Sequence, residues 1–120
     1  MNPLRVGFAG YGVVGQLRHK YVNNASSFTT VAVSDRKLEN GNLLEHKVKT
    51  FSHYEKLLNE DLDVLFVCLS NDVAADATIA GLNRGLHVFC EKPPGQNLND
   101  IARVIECQKT HPKLTLKYGF

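Results

Sequence analysis

The sequence predicts a three-layer α/β fold on a doubly wound parallel sheet, with six strands in the Rossmann order 3-2-1-4-5-6. Three observations carry that reading. Apolar, β-branched runs alternate with segments of helical period along the 120 residues, the pattern of parallel strands joined by crossover helices. The first run leads directly into Gly10-Tyr11-Gly12-Val13-Val14-Gly15. An acidic residue, Asp35, closes the second run twenty residues after the last of those glycines.

Taken in order, residues 4–9 read as the first strand and residues 13–23 as the first helix. Residues 29–34, with Val31 and Val33 at their centre, read as the second strand. Residues 35–46 are polar and contain glycine, which predicts a loop with at most a short helix. Residues 47–51 form a short third strand. Ser52 and Glu55 then stand in capping-box spacing ahead of Leu57 and Leu58. Residues 63–69 (DVLFVCL) are almost wholly apolar, as befits a central strand covered on both faces. Asn71 is placed to cap a helix over residues 72–84, with Gly85 at its stop. Residues 87–90 are the fifth strand. Residues 97–110 are a helix with Ile101, Val104 and Ile105 on one face, and Pro112 follows its end. Residues 114–118 are the sixth strand, with Leu114, Leu116 and Tyr118 alternating against Thr115 and Lys117, and Phe120 extends the apolar side.

The glycine pattern serves one class of ligand. Gly10 permits a tight strand-to-helix turn, Gly12 lets the backbone approach a pyrophosphate, and Gly15 lets the helix pack closely. Phosphates then meet free N–H groups and the positive dipole end at the helix start, beside Val13 and Val14. Asp35 is placed to accept hydrogen bonds from an adenosine ribose. In a doubly wound sheet, ligands bind beyond the carboxyl ends of the strands at the switch between strands one and four. The glycine loop, Asp35, Ser70-Asn71 and Glu91-Lys92-Pro93 all fall on that edge.

Composition narrows the partners. The chain is 43% apolar and 22% charged with a formal net charge of +2, and it has no basic run, so nucleic acid is not expected. No segment has membrane-spanning length or signal-peptide form, which predicts a cytoplasmic protein without a membrane partner. Cys68, Cys90 and Cys107 are odd in number and far apart. They read as reduced thiols, with Cys68 and Cys90 as small apolar strand residues. The five histidines lack ligand spacing, and no metal is expected.

Gly10–Gly15, Asp35-Arg36, Cys68-Leu69-Ser70-Asn71 and above all the segment AGLNRGLHVFCEKP over residues 80–93 resemble the Gfo/Idh/MocA oxidoreductases. The resemblance runs the length of the chain, residues 1–120 forming one NAD(P)-binding domain. It implies an NAD(P)-dependent dehydrogenase of sugars, cyclitols or related hydroxy compounds. It also implies that Lys92 is the catalytic lysine, set between cofactor and substrate, where an ammonium can stabilise or relay the proton of a developing alkoxide. Glu91 is expected to touch the nicotinamide side or brace Lys92, and Ser70 and Asn71 to contact the cofactor. A cis Lys92–Pro93 bond fits the low cost of that isomer before proline. Where many members carry a histidine three residues past the asparagine, this chain has Ala74. Family members add a following α/β domain that supplies the substrate pocket and general acid/base. That C-terminal substrate domain is expected to be absent here, leaving cofactor binding without turnover.

Asp35 favours NAD, since its charge repels a 2′-phosphate, whereas Arg36 is suited to pair with that phosphate in NADP. A stand-alone nucleotide- or CoA-binding module without catalysis, or an assembly role with a vestigial site, remain alternatives that leave Glu91-Lys92-Pro93 without a purpose. The apolar side of the last strand predicts a homo-oligomer through that end of the sheet.

Overall fold

Strand β1 (Leu4–Ala9) lies at the centre of a six-stranded sheet in the order β3-β2-β1-β4-β5-β6. The computed structural model describes residues 2–119; the expectation for Phe120 lies outside them. The remaining strands are β2 (Phe28–Ser34), β3 (Lys49–Phe51), β4 (Val64–Val67), β5 (His87–Cys90) and β6 (Leu116–Tyr118), and every pairing is parallel. Helices α1 (Val13–Asn23), α2 (Tyr54–Leu57), α3 (Asn71–Asn83) and α4 (Leu98–Lys109) make four of the five crossovers, and a loop with a short 3-10 turn at Glu45–Lys47 joins β2 to β3.

Strand residues alternate between two cores, as the period-2 pleat requires. Leu65 and Val67 of β4 and Ala9 of β1 join Leu57, Leu82 and Leu86 on one face. Val6 and Phe8 of β1 join Val33, Val22 and Val48 on the other. There the rings of Phe8, Phe66 and Phe89 form a row across three strands, with centroids 4.9 and 5.1 Å apart. Edge-tilted aromatic pairs at this spacing add to burial.

Several boundaries differ from expectation, each for a local reason. Strand β3 starts at Lys49, not residue 47, because His46 and Lys47 turn the chain with φ of 60° and 61°. Ser52 does not cap α2. Its N–H and hydroxyl both donate to Asn40 Oδ1, at 2.9 and 3.3 Å, and His53 Nδ1 accepts from Glu55 N instead. Strand β4 is shorter than residues 63–69. Asp63 is engaged by the Arg5 backbone N–H and guanidinium, and Cys68 lies just past the strand end rather than in it. Helix α3 begins one residue early, with Ser70 rather than Asn71 at its N-cap. Helix α4 buries Val104, but Ile105 is 47% exposed, against its expected place on the buried face. Strand β6 starts at Leu116 because Leu114 N closes a turn onto His111 O. Its alternation holds, but Leu116 and Tyr118 pack on the first core, so the apolar side of the strand is not the free surface expected for self-association. The apolar recess, of about 360 Å³, lies instead beside Thr115 and Lys117 and is lined by Phe66 and Phe89.

His19 of α1 packs against the Phe8 ring, its Nδ1 lies 2.7 Å from the Tyr11 hydroxyl, and its buried Nε2 has no partner among the described residues. Burial holds the imidazole below its ordinary value of 6.5. The folded state thus binds this proton less readily than the unfolded chain, so its contribution is present above pH ~6.5 and declines as pH falls below it. Melting temperatures between pH 7 and pH 5 should therefore fall more steeply for the wild type than for His19→Gln; parallel slopes would contradict the assignment. In the core, Leu65 is fully buried. Leu65→Ala should cost about 2–5 kcal/mol in denaturant unfolding, and a loss under about 1 kcal/mol would mean the site can collapse.

Candidate cofactor site

Backbone hydrogen bonds carry the sheet ladder one residue past the strands and align their ends. Gly10 N donates to Ser34 O, Cys68 N to Ala9 O, Glu91 N to Val67 O and Asp35 N to Phe51 O, all between 2.8 and 3.0 Å. The glycine loop after β1, Asp35 after β2, Ser70-Asn71 after β4 and Glu91-Lys92-Pro93 after β5 therefore share the carboxyl edge, as the sequence predicts.

The three glycines have different reasons to be there. Gly10 has φ +98°, and a Cβ on it would lie 2.3 Å from Cys68 O. A Cβ on Gly15 would lie 2.2 Å from Gly10 O, so the helix approaches the loop as closely as backbone allows. Gly12 is exposed, has φ −78°, and a Cβ on it would meet nothing within 4 Å. Neither conformation nor packing within the chain demands glycine at that position. It is the N-cap of α1 and offers no side-chain cap, and the first intrahelical bond runs from Gln16 N to Gly12 O. The N–H groups of Val13, Val14 and Gly15 thus precede the hydrogen-bonded helix and face its start, which suits a phosphate. Val13 and Val14 leave their side chains exposed beside them.

Asp35 ties two parts of the rim together. Its Oδ2 accepts from Tyr11 N at 3.0 Å inside the glycine loop, and its Oδ1 accepts from Lys37 N at 3.1 Å. Each oxygen retains a lone pair for a ribose hydroxyl. Arg36 is exposed alongside. Past β4, the Ser70 hydroxyl donates to the Asp72 carboxylate, and exposed Asn71 is the first residue of α3, with no capping bond to occupy it. Ala74 is fully buried and offers no polar group to this edge.

The Lys92–Pro93 peptide is cis, in line with expectation, and Lys92 is exposed at the edge. Glu91 turns inward and pairs with Arg18 of α1. Arg18 was not among the residues the sequence singles out, and no local signal marks it, because the pair spans 73 positions. The neighbouring Cys68 thiol is pushed up to about 12, by burial first and then by the Glu91 charge, and burial raises Cys90 as well. Both stay protonated near neutrality and serve as apolar residues rather than nucleophiles.

A parallel sheet of this order, with a glycine loop at a helix start and an acid on the next strand end, defines a Rossmann dinucleotide-binding domain. The family described as "Oxidoreductase family, NAD-binding Rossmann fold" matches residues 4–120, and the chain belongs to this Gfo/Idh/MocA family. It is 33% identical over 98% of its length to an inositol 2-dehydrogenase of Salmonella typhimurium, covering 37% of that protein. It is 35% identical over 99% of its length to a D-glucoside 3-dehydrogenase of Escherichia coli, covering 35% of that one. The crystal structure of a myo-inositol 2-dehydrogenase from Lactobacillus plantarum superposes with a TM-score of 0.82 at 26% identity, over 98% of this chain and 36% of that one. The chain thus spans little more than a third of the relatives it matches. No helix among the described residues is long and apolar enough to cross a membrane.

The open space at Gly12 gives a direct test. Gly12→Val exchanges a favoured N-cap residue for a poor one, so it should cost up to about 1 kcal/mol, a few degrees in melting temperature, while weakening NADH binding roughly tenfold or more in calorimetry. A variant that binds NADH like wild type would remove the phosphate from this loop.

Proposed function

We propose that the chain supplies the nicotinamide-dinucleotide half of an oxidoreductase that acts on a cyclitol, sugar or related hydroxy compound. The observation that carries the reading is the bare N-cap of α1, where Gly12 has open space in place of a side chain at the point where a pyrophosphate meets the helix N-terminus. The N–H groups of Val13, Val14 and Gly15 hold the phosphates, Asp35 accepts from the adenosine ribose, and Ser70 and Asn71 bind along the nearby edge. Lys92 hydrogen-bonds the reacting hydroxyl and is the catalytic residue. It steadies negative charge as the alkoxide develops and passes on its proton. Glu91, already paired with Arg18, braces Lys92 rather than taking a proton. When bound, the nicotinamide supplies the hydride acceptor. Three free cysteines support a reducing, cytoplasmic setting, and the apolar recess beside β5 and β6 supports self-association, read by light scattering.

Titration with NADH and NADPH separates the cofactors. The Asp35 carboxylate should favour NADH, and Asp35→Ala should weaken NADH by roughly tenfold or more and narrow its advantage over NADPH. A folded chain that binds neither would support the CoA-type or vestigial alternative and leave Lys92 without a role.

A further inference from the structure

We infer that Arg18 is a positioning residue for the nicotinamide half of the site, acting through Glu91 on Lys92; this rests on the dinucleotide reading above. Arg18 lies one turn beyond Gly15, on the helix that starts at the glycine loop. Its Nε donates to Glu91 Oε1, and its guanidinium stands 5.0 Å over the Phe89 ring. The arginine is therefore fixed by a charge-assisted bond at one side and a cation–π contact at the other. Phe89 in turn belongs to the aromatic row with Phe66 and Phe8.

Glu91 is held on three sides. Its backbone N–H donates to Val67 O at 2.9 Å, its carboxylate meets Arg18, and its Oε2 would lie 2.8 Å from a Cβ at Gly119. The Glu91 side chain is only 14% exposed, against 37% for Arg18. A carboxylate so enclosed tolerates loss of its cation poorly, unlike a surface pair. Lys92 follows directly and is exposed, so it extends from a stem whose backbone and side chain are both fixed. The pair also spans the rim, since α1 begins at the phosphate end while Glu91 belongs to the loop that carries Lys92. Arg18 thus sets the distance between the two halves of the cleft. A surface ion pair on the flank of α1 would have neither the ring beneath it nor the closed wall at Gly119.

The test compares NADH with ADP-ribose, the same ligand without its nicotinamide. Arg18→Met should weaken NADH roughly tenfold or more while ADP-ribose changes less than about twofold. Glu91→Gln should show the same split, and the double variant should lose little more than either single one, as residues acting as a unit do. Arg18→Lys, which keeps the charge and a cation over Phe89, should recover part of the loss and carries the comparison if Arg18→Met fails to fold. Equal weakening of both ligands would make the pair a structural brace only, and a folded variant with unchanged NADH affinity would overturn the inference outright. A wild-type chain that binds ADP-ribose but not NADH would also overturn it. Wild type that binds neither removes the dinucleotide reading itself, a failure distinct from that of Arg18.

Discussion

The contact on which the site depends is the approach of Gly15 to the carbonyl of Gly10, where even a methyl group would come within 2.2 Å of the oxygen. It seats the first turn of α1 directly above the end of β1, and Gly10 itself lies equally tight against Cys68 O beyond β4. Helix, loop and two central strands thereby share one corner. From that seating follow the direction of the first free N–H groups and the placement of Arg18 one turn later. Packing energy of the two cores holds the sheet, but this corner aims it.

A second constraint is electrostatic. Asp35 takes a backbone N–H from the glycine loop and another from its own turn, so a charge at the end of β2 is fixed against the end of β1. Charge-assisted bonds of this kind are about twice as strong as neutral ones. Ordering the acid before any ligand arrives reduces the entropy cost of binding. At the other end of the rim, Glu91 is restrained by Arg18 in similar fashion. Between these anchored acids, Gly12, Val13, Val14, Ser70, Asn71 and Lys92 of the proposed site are all exposed. Anchored walls with an exposed floor suit an elongated ligand such as a dinucleotide.

Much of this was legible in the chain because the relevant physics is local. Central parallel strands read as apolar runs, so β1, β4 and β5 stand out, although Phe66 and Phe89 line an open recess on one face of β4 and β5. The glycine-loop spacing identifies the turn between β1 and α1. What was not legible depends on distant partners. Ser52 has a good local reason to cap α2, but Asn40, twelve residues earlier, takes both its donors. Asn71 looked like a cap and instead is left unengaged within α3, while Ser70 takes the N-cap position. Ile105 follows Val104 by one helical step of about 100°, so it sits at the flank of the buried face and stays half-exposed. Arg18 carries no pattern at all; only the fold brings it to Glu91.

Amide chemical-shift mapping of the labelled chain on addition of NAD locates the dinucleotide site residue by residue. Perturbations should be confined to the carboxyl edge: Gly10 to Gly15, Asp35 and Arg36, Ser70 and Asn71, Glu91 and Lys92. Perturbations gathered instead around Phe66, Phe89 and Lys117 in the apolar recess, or none at saturating NAD, would contradict that placement.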